Sequence, residues 1–178
     1  MIKIAKTLPW ALLLCVLLIV NRPAPSEPIY DTDAPIGPAV GQQAPDFTLS
    51  TVDGGQFTLR EHRGKVTVLN LWATWCGPCV KELPNFDRLA REQADEVAVL
   101  AIHSDLITDD VGEYLARYDY DIPFAVDASG QVITSLGGSQ MLPQTIVLDP
   151  YGVVTYNQVG SVSYELLTQL VDAARHPQ

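Results

Sequence analysis

The sequence predicts an α/β sandwich built on a mixed sheet. Short β-branched and apolar runs alternate with amphipathic helical stretches, and the chain closes on a hairpin followed by a helix. The most apolar internal run, Val66 to Leu71 (VTVLNL), is short and rich in β-branched residues, as a strand buried on both faces requires.

The elements follow in order from residue 47. Phe47, Leu49 and Val52 lead into Asp53-Gly54-Gly55, and Phe57 and Leu59 follow, which is the pattern of a β-hairpin. Leu59 to Gly64 reads as a short helical turn, and Val66 to Leu71 as the central strand. Cys76 to Gln93 reads as a helix, because Val80, Leu83, Phe86, Leu89 and Ala90 recur at steps of three and four. Pro84 lies inside it and is expected to bend it. Val97 to His103 is a further strand, and Asp109 to Tyr118 a helix starting near Asp109 or Asp110. Phe124 to Val126 is a short strand and Val132 to Leu136 a helical turn. Thr145 to Leu148, the turn Asp149-Pro150-Tyr151-Gly152, and Val153 to Val159 form a second hairpin. Tyr164 to Ala174 closes the chain as a helix with Leu166, Leu167, Leu170, Val171 and Ala174 on one face.

The amino end has a different character. Residues 8–20 (LPWALLLCVLLIV) are uncharged and follow Lys3 and Lys6, the layout of an export signal. The run is short for a spanning helix, which takes about 20 apolar residues. It carries no small-x-small cleavage site, so residues 1–20 read as a signal anchor in preference to a cleaved signal peptide. The basic residues set the amino end in the cytoplasm and the rest of the chain outside it. Cys15, within the run, reads as a buried apolar thiol because Leu14 stands where a lipidation signal has a small residue. Residues 21–40 are rich in proline and read as a semi-extended linker, leaving 41–176 as one domain.

The 178 residues carry a formal net charge of −10. Residues 1–22 hold three bases and no acid, so all 21 acids lie beyond them against 8 of the 11 bases. So acidic a surface excludes a nucleic-acid binder. Three cysteines are too few for a disulfide-stapled scaffold, but Cys76 and Cys79 stand at redox or metal spacing. A structural zinc takes four ligands, and His62, His103 and His176 are not paired, so no metal is expected. A structural bridge is the other alternative to redox work.

Trp75-Cys76-Gly77-Pro78-Cys79 follows a buried strand and opens a helix. Free N–H groups and the positive dipole end there favour a thiolate, which makes Cys76 the nucleophile. Cys79 lies one turn on and can resolve a mixed disulfide.

WCGPC after VLNLWAT, with MLPQT before a later strand, resembles the thioredoxin superfamily. The opening GQQAPDFTLSTVDGG and the LREHRGK segment narrow the resemblance to the membrane-tethered TlpA/ResA branch, over residues 41–174. It implies a thioredoxin-like fold, a mixed sheet flanked by helices, with an added N-terminal β-hairpin. It implies that Pro143 is a cis-proline that docks substrate backbone, with Leu142 beside it. Trp75, Gly77 and Pro78 would complete the substrate surface, Trp75 as a flat lid over Cys76. Glu82 matches an acidic position that tunes the cysteines or relays a proton; the alternative is a solvated helix carboxylate beside Lys81. Asn70 departs from cytoplasmic thioredoxins, which carry a buried aspartate there. Trp72 and His103 read as packing residues.

The activity so implied is extracytoplasmic thiol–disulfide exchange, without a cofactor. The Gly-Pro pair, shared with reducing thioredoxin, points to reduction of disulfides in exported proteins, apocytochrome c among them. A membrane electron carrier of the CcdA/DsbD type would supply the electrons. Alternatives are a dithiol oxidase, a peroxiredoxin-like peroxidase and a copper metallochaperone. The peroxidase expects a threonine where Ala73 stands, and the chaperone expects CxxxC.

Overall fold

A computed structural model describes residues 33–104, 111–139 and 141–176. The expectations for the signal segment 1–20, for Cys15, for linker residues 21–32 and for a helix start at Asp109 or Asp110 lie outside the described residues. Among the described residues no helix is long and apolar enough to cross a membrane.

The front hairpin pairs β1 (Thr48–Ser50) with β2 (Gln56–Thr58), antiparallel, and a 3-10 turn covers Leu59–His62. The main sheet holds β3 (Val66–Trp72), β4 (Val97–His103), β5 (Phe124–Val126), β6 (Gln144–Leu148) and β7 (Val154–Val159) in the order β5-β4-β3-β6-β7. β3, β4 and β5 run parallel, while β6 is antiparallel to both β3 and β7. Parallel neighbours need a long crossover, supplied between β3 and β4 by α1 (Gly77–Glu92). The short helices α2 (Val111–Leu115) and α3 (Gln131–Ser135) and the closing helix α4 (Tyr164–Arg175) complete the chain.

Every residue of β3 and β4 is buried, because each sheet face carries its own core. On one face Val66, Val68, Trp72, Val99 and Val147 pack against Leu83, Phe86 and Leu89 of α1 and Leu167, Val171 and Ala174 of α4. On the other, Leu69, Leu71, Leu100, Ile102, Ile146 and Leu148 meet Phe57 of the front hairpin, Leu59 of the 3-10 turn, and Ile133 and Leu136 around α3. Asp87 ties α1 to the loop before β5. Its Oδ1 accepts from the N–H groups of Asp121 at 2.6 Å and Ile122 at 3.3 Å, and its Oδ2 from Arg91 Nε at 2.8 Å.

The outer strands are both met by chain that precedes them. The Val52 N–H donates to Phe124 O at 2.8 Å on β5. At the start of β7 the Gly41 N–H donates to Val154 O and the Val154 N–H donates to Gln42 O, each at 2.8 Å. Packing on the domain begins upstream of this, since Pro35 O accepts from the Gln43 N–H at 3.0 Å and Pro38 O accepts from Asn157 Nδ2 at 3.0 Å.

Two expectations change. The helix expected over 109–118 is helical only at Val111–Leu115 in its described part. Leu166 does not share the buried face of α4: Leu167, Val171 and Ala174 are buried, but Leu166 is 36% exposed. The apolar stripe of α4 is thus narrower than its composition suggests.

Candidate active site

The end of β3 delivers the two cysteines. Trp72 is buried and fixes the exit of the strand, with its ring edge-on to His103 at 5.2 Å and to Phe124 at 5.5 Å. His103 Nε2 accepts from the Thr74 N–H at 3.3 Å, which holds the loop that follows. Both residues are packing elements, as their sequence positions suggest.

Cys76 is the N-cap of α1, with extended backbone (φ −83°, ψ 95°), and Pro78 occupies the first turn, where its missing N–H costs nothing. Cys76 and Cys79 form a disulfide. Cys76 Sγ accepts from the Cys79 N–H at 3.3 Å, and Cys76 O accepts the first helical bond from Val80 N–H at 3.1 Å. The sulfur of Cys76 thus lies where amide donors and the helix dipole stabilise negative charge. Cys79 is fully buried, while Cys76 is 5% exposed and sits in a collar of surface residues. In that collar Trp75 is 62% exposed and Gly77 and Pro78 are exposed. An added Cβ at Gly77 would meet nothing within 4 Å, so the glycine leaves open space in front of the disulfide.

The loop ahead of β6 brings in the second segment. The Leu142–Pro143 bond is cis, in agreement with the resemblance. Leu142 packs against the core cluster that contains both cysteines. The Gly160 N–H donates to Pro143 O at 2.8 Å. Gln144, buried, donates from Nε2 to Asn157 Oδ1 at 2.6 Å and to Gly137 O at 3.3 Å, and its Oε1 accepts from the Ser139 N–H at 3.4 Å.

Glu82 is not a solvated surface carboxylate. It is 3% exposed and lies three residues after Cys79, on the same side of α1. Oε1 accepts from Asn70 Nδ2 at 2.9 Å and Oε2 from the Val162 N–H at 2.9 Å. Burial pushes its carboxyl up from 4.5 to about 7, against the opposing pull of those two hydrogen bonds. A carboxyl so poised gives and takes a proton near neutrality. Asn70 replaces one carboxylate site with an amide that holds another. Asn70 Oδ1 and Thr145 Oγ1 are buried and have no hydrogen-bond partner among the described residues.

The sequence pointed to Cys76, Cys79, Glu82 and Pro143. It did not single out Thr145, Gln144, Asn157 or the Val162 N–H, which enter only through strand register and backbone. Among the described residues no group of three or more His, Cys, Asp or Glu could hold a metal ion.

The Redoxin family profile matches residues 39–171. The thioredoxin-like protein YneN of Bacillus subtilis (strain 168) is 35% identical over 140 residues, covering 77% of this chain and 81% of its own. The thiol-disulfide oxidoreductase ResA of Geobacillus thermodenitrificans is 33% identical over 138 residues, covering 77% and 79%. The crystal structure of the exposed lipoprotein thioredoxin of Streptococcus pneumoniae strain TIGR4 superposes with a TM-score of 0.66 at 28% identity, covering 72% of this chain and 98% of that one.

Proposed function

We propose that this chain, which belongs to the Redoxin family and is a TlpA/ResA-like thiol–disulfide oxidoreductase, works as a reductant of disulfides in exported proteins, outside the cytoplasm and tethered through its N-terminus. The observation that carries the reading is the Cys76–Cys79 pair at the N-terminus of α1 with the buried Glu82 three residues on.

The exchange follows from this arrangement. The Cys76 thiolate attacks one sulfur of the client disulfide and the other client sulfur leaves as a thiolate that takes up a proton. The Cys79 thiol passes its proton to Glu82, and the resulting thiolate attacks Cys76 Sγ and breaks the Cys76–client bond; the expelled client thiolate takes up the proton held by Glu82. The client departs as a dithiol, two electrons richer, and Cys76–Cys79 remains as the disulfide. Trp75, Gly77, Pro78, Leu142 and Pro143 are the surface against which the client backbone would lie.

The direction of electron flow is supported by the Gly77-Pro78 pair, and the location by the apolar, base-flanked residues 1–20. A membrane carrier of the CcdA/DsbD type would return electrons to Cys76–Cys79, and an apocytochrome c thiol pair is a client of fitting chemistry. The test is the reduction potential of Cys76–Cys79 in the full-length protein, with trapping of clients on the Cys79→Ser variant. A potential near that of thioredoxin, about −270 mV, with mixed disulfides accumulating at Cys76, is the expected result. A value close to about −120 mV would reassign the chain as a dithiol oxidase.

A further inference from the structure

Three large apolar side chains are exposed together at one end of the molecule. Ile36 is 76% exposed, Val40 62% and Tyr151 43%. Gln43 gathers them: it bridges to Ile36 and to Val153, and its Nε2 donates to Tyr151 O at 3.1 Å. Val40 lines a cleft with Val154 and with Ala173 and His176 at the C-terminal end of α4. Single exposed apolar residues are ordinary, but a group of them marks a contact surface.

This end of the sheet is the one away from the disulfide. The turn Asp149 to Gly152 follows β6 at Leu148, and Leu148 pairs with Thr67 at the start of β3. Cys76 follows the other end of β3, after Trp72, about 20 Å of strand away. Leu142–Pro143 and Gly160 lie at the Cys76 end, before β6 and after β7. The chain enters the domain beside the exposed group. Pro35 O accepts from the Gln43 N–H at 3.0 Å, and the Gly37 N–H donates to Gln43 O at 2.9 Å. Residues 21–32 stand between the apolar run 8–20 and Asp33, and a stretch of that length spans at most about 43 Å.

We propose that Ile36, Val40 and Tyr151 form a surface that rests on the lipid bilayer. The proposal depends on the reading of residues 1–20 as an anchor. A bilayer takes aliphatic side chains at its acyl boundary and tyrosine at its headgroups. Three side chains hold a free protein only weakly, but a tether makes the contact intramolecular, at an effective concentration on the order of millimolar. Of the acids that line the cleft at Val40, Asp149 is buried, with its Oδ1 accepting from the Tyr151 and Val153 N–H groups. The other, Asp172, pairs with Arg175 at 2.7 Å. Arg63 lies against Gly152 in the adjoining turn. An acidic domain gains nothing from anionic lipid, so the surface commits to a zwitterionic one. Docked in this way, the domain turns Trp75, Cys76 and Pro143 away from the membrane, toward clients in the aqueous phase. The contact is small enough to release, as the return of electrons from a membrane carrier requires.

The test places the full-length protein in phosphatidylcholine nanodiscs that carry a gadolinium chelate on some headgroups. Co-elution with the discs reports the tether, and NMR line broadening reports the orientation. Ile36, Val40 and Tyr151 are expected to broaden several-fold more than Trp75, Gly77 and Met141, which are exposed on the disulfide side. Ile36 and Val40 lie near the tether whatever the domain does, so Tyr151 is the deciding signal. Its broadening should fall several-fold when Ile36→Asp and Val40→Asp are combined, while the rate with a small soluble disulfide stays unchanged. Tyr151 broadening indifferent to that pair of substitutions, or broadening strongest at Trp75, overturns the proposal. Signals that shift with the number of chains per disc and not with the lipid assign the surface to a second copy and also overturn it. A chain that stays with the discs yet broadens evenly keeps the tether and loses the lipid contact, whereas a chain that leaves the discs loses both.

Discussion

Gln144 of β6 and Asn157 of β7 are diagonal neighbours, their direct cross-strand partners being Val159 and Ile146, and Gln144 Nε2 donates to Asn157 Oδ1 at 2.6 Å. Asn157 also donates to Leu136 O at 3.1 Å and to Pro38 O at 3.0 Å. The two amides thus anchor the segment that runs from α3 into Leu142–Pro143, and tie it to the chain that enters the domain. Asn157→Ala is expected to cost about 1–2 kcal/mol. It should also raise KM several-fold for a protein disulfide while leaving the rate with a small aromatic disulfide unchanged. Steady-state kinetics with both substrates check this.

Glu82 ties stability to pH. Its carboxyl sits at about 7 in the folded chain and near 4.5 when unfolded. Between those values the folded chain keeps a proton that the unfolded chain has released, so unfolding free energy falls as pH rises from about 4.5 through about 7. Denaturant midpoints measured across this window should decline in the wild type, and this contribution should vanish in Glu82→Gln. The same substitution should slow resolution of the mixed disulfide by about 100-fold.

Gly138 has no room for a side chain. A Cβ there would meet Ile133 Cγ2, Ile133 O at 2.7 Å and Leu71 Cδ1 at 2.9 Å. Gly138→Ala should destabilise the fold by about 1–3 kcal/mol, read as a lower melting temperature, whereas Gly77→Ala should leave it unchanged.

Asp87 satisfies two backbone N–H groups from within the fold. Asp87→Ala strands them and should cost about 2–3 kcal/mol in chemical denaturation. Asp87→Asn keeps one acceptor oxygen and should recover most of the loss.

Much of this molecule was readable in its sequence because local pattern and burial agree. β3 and β4 are mostly apolar on both faces, and only a strand covered on both sides takes such a run. The cysteines were readable because a thiolate needs the first turn of a helix, and a helix starts at Gly77. Thr145 was not, since within TIVL a buried threonine looks the same as one facing solvent. Its meaning depends on pairing with Asn70, far away in sequence. The Val162 N–H is a backbone group and leaves no trace in residue identity. The cis bond before Pro143 was readable only through resemblance, as about 5–6% of X–Pro bonds are cis. Leu166 misled because an apolar residue at the margin of a helical stripe can face either way.

The covering of β5 by Val52 and of β7 by Gly41 and Gln42 bears on self-association. An unpaired strand edge is a template for another copy of the same chain, and the end of that path is a fibril. Here each guard lies earlier in the chain than the edge it protects. During synthesis from the amino end, β5 and the start of β7 therefore emerge into the presence of segments already made, with hydrogen bonds waiting for them.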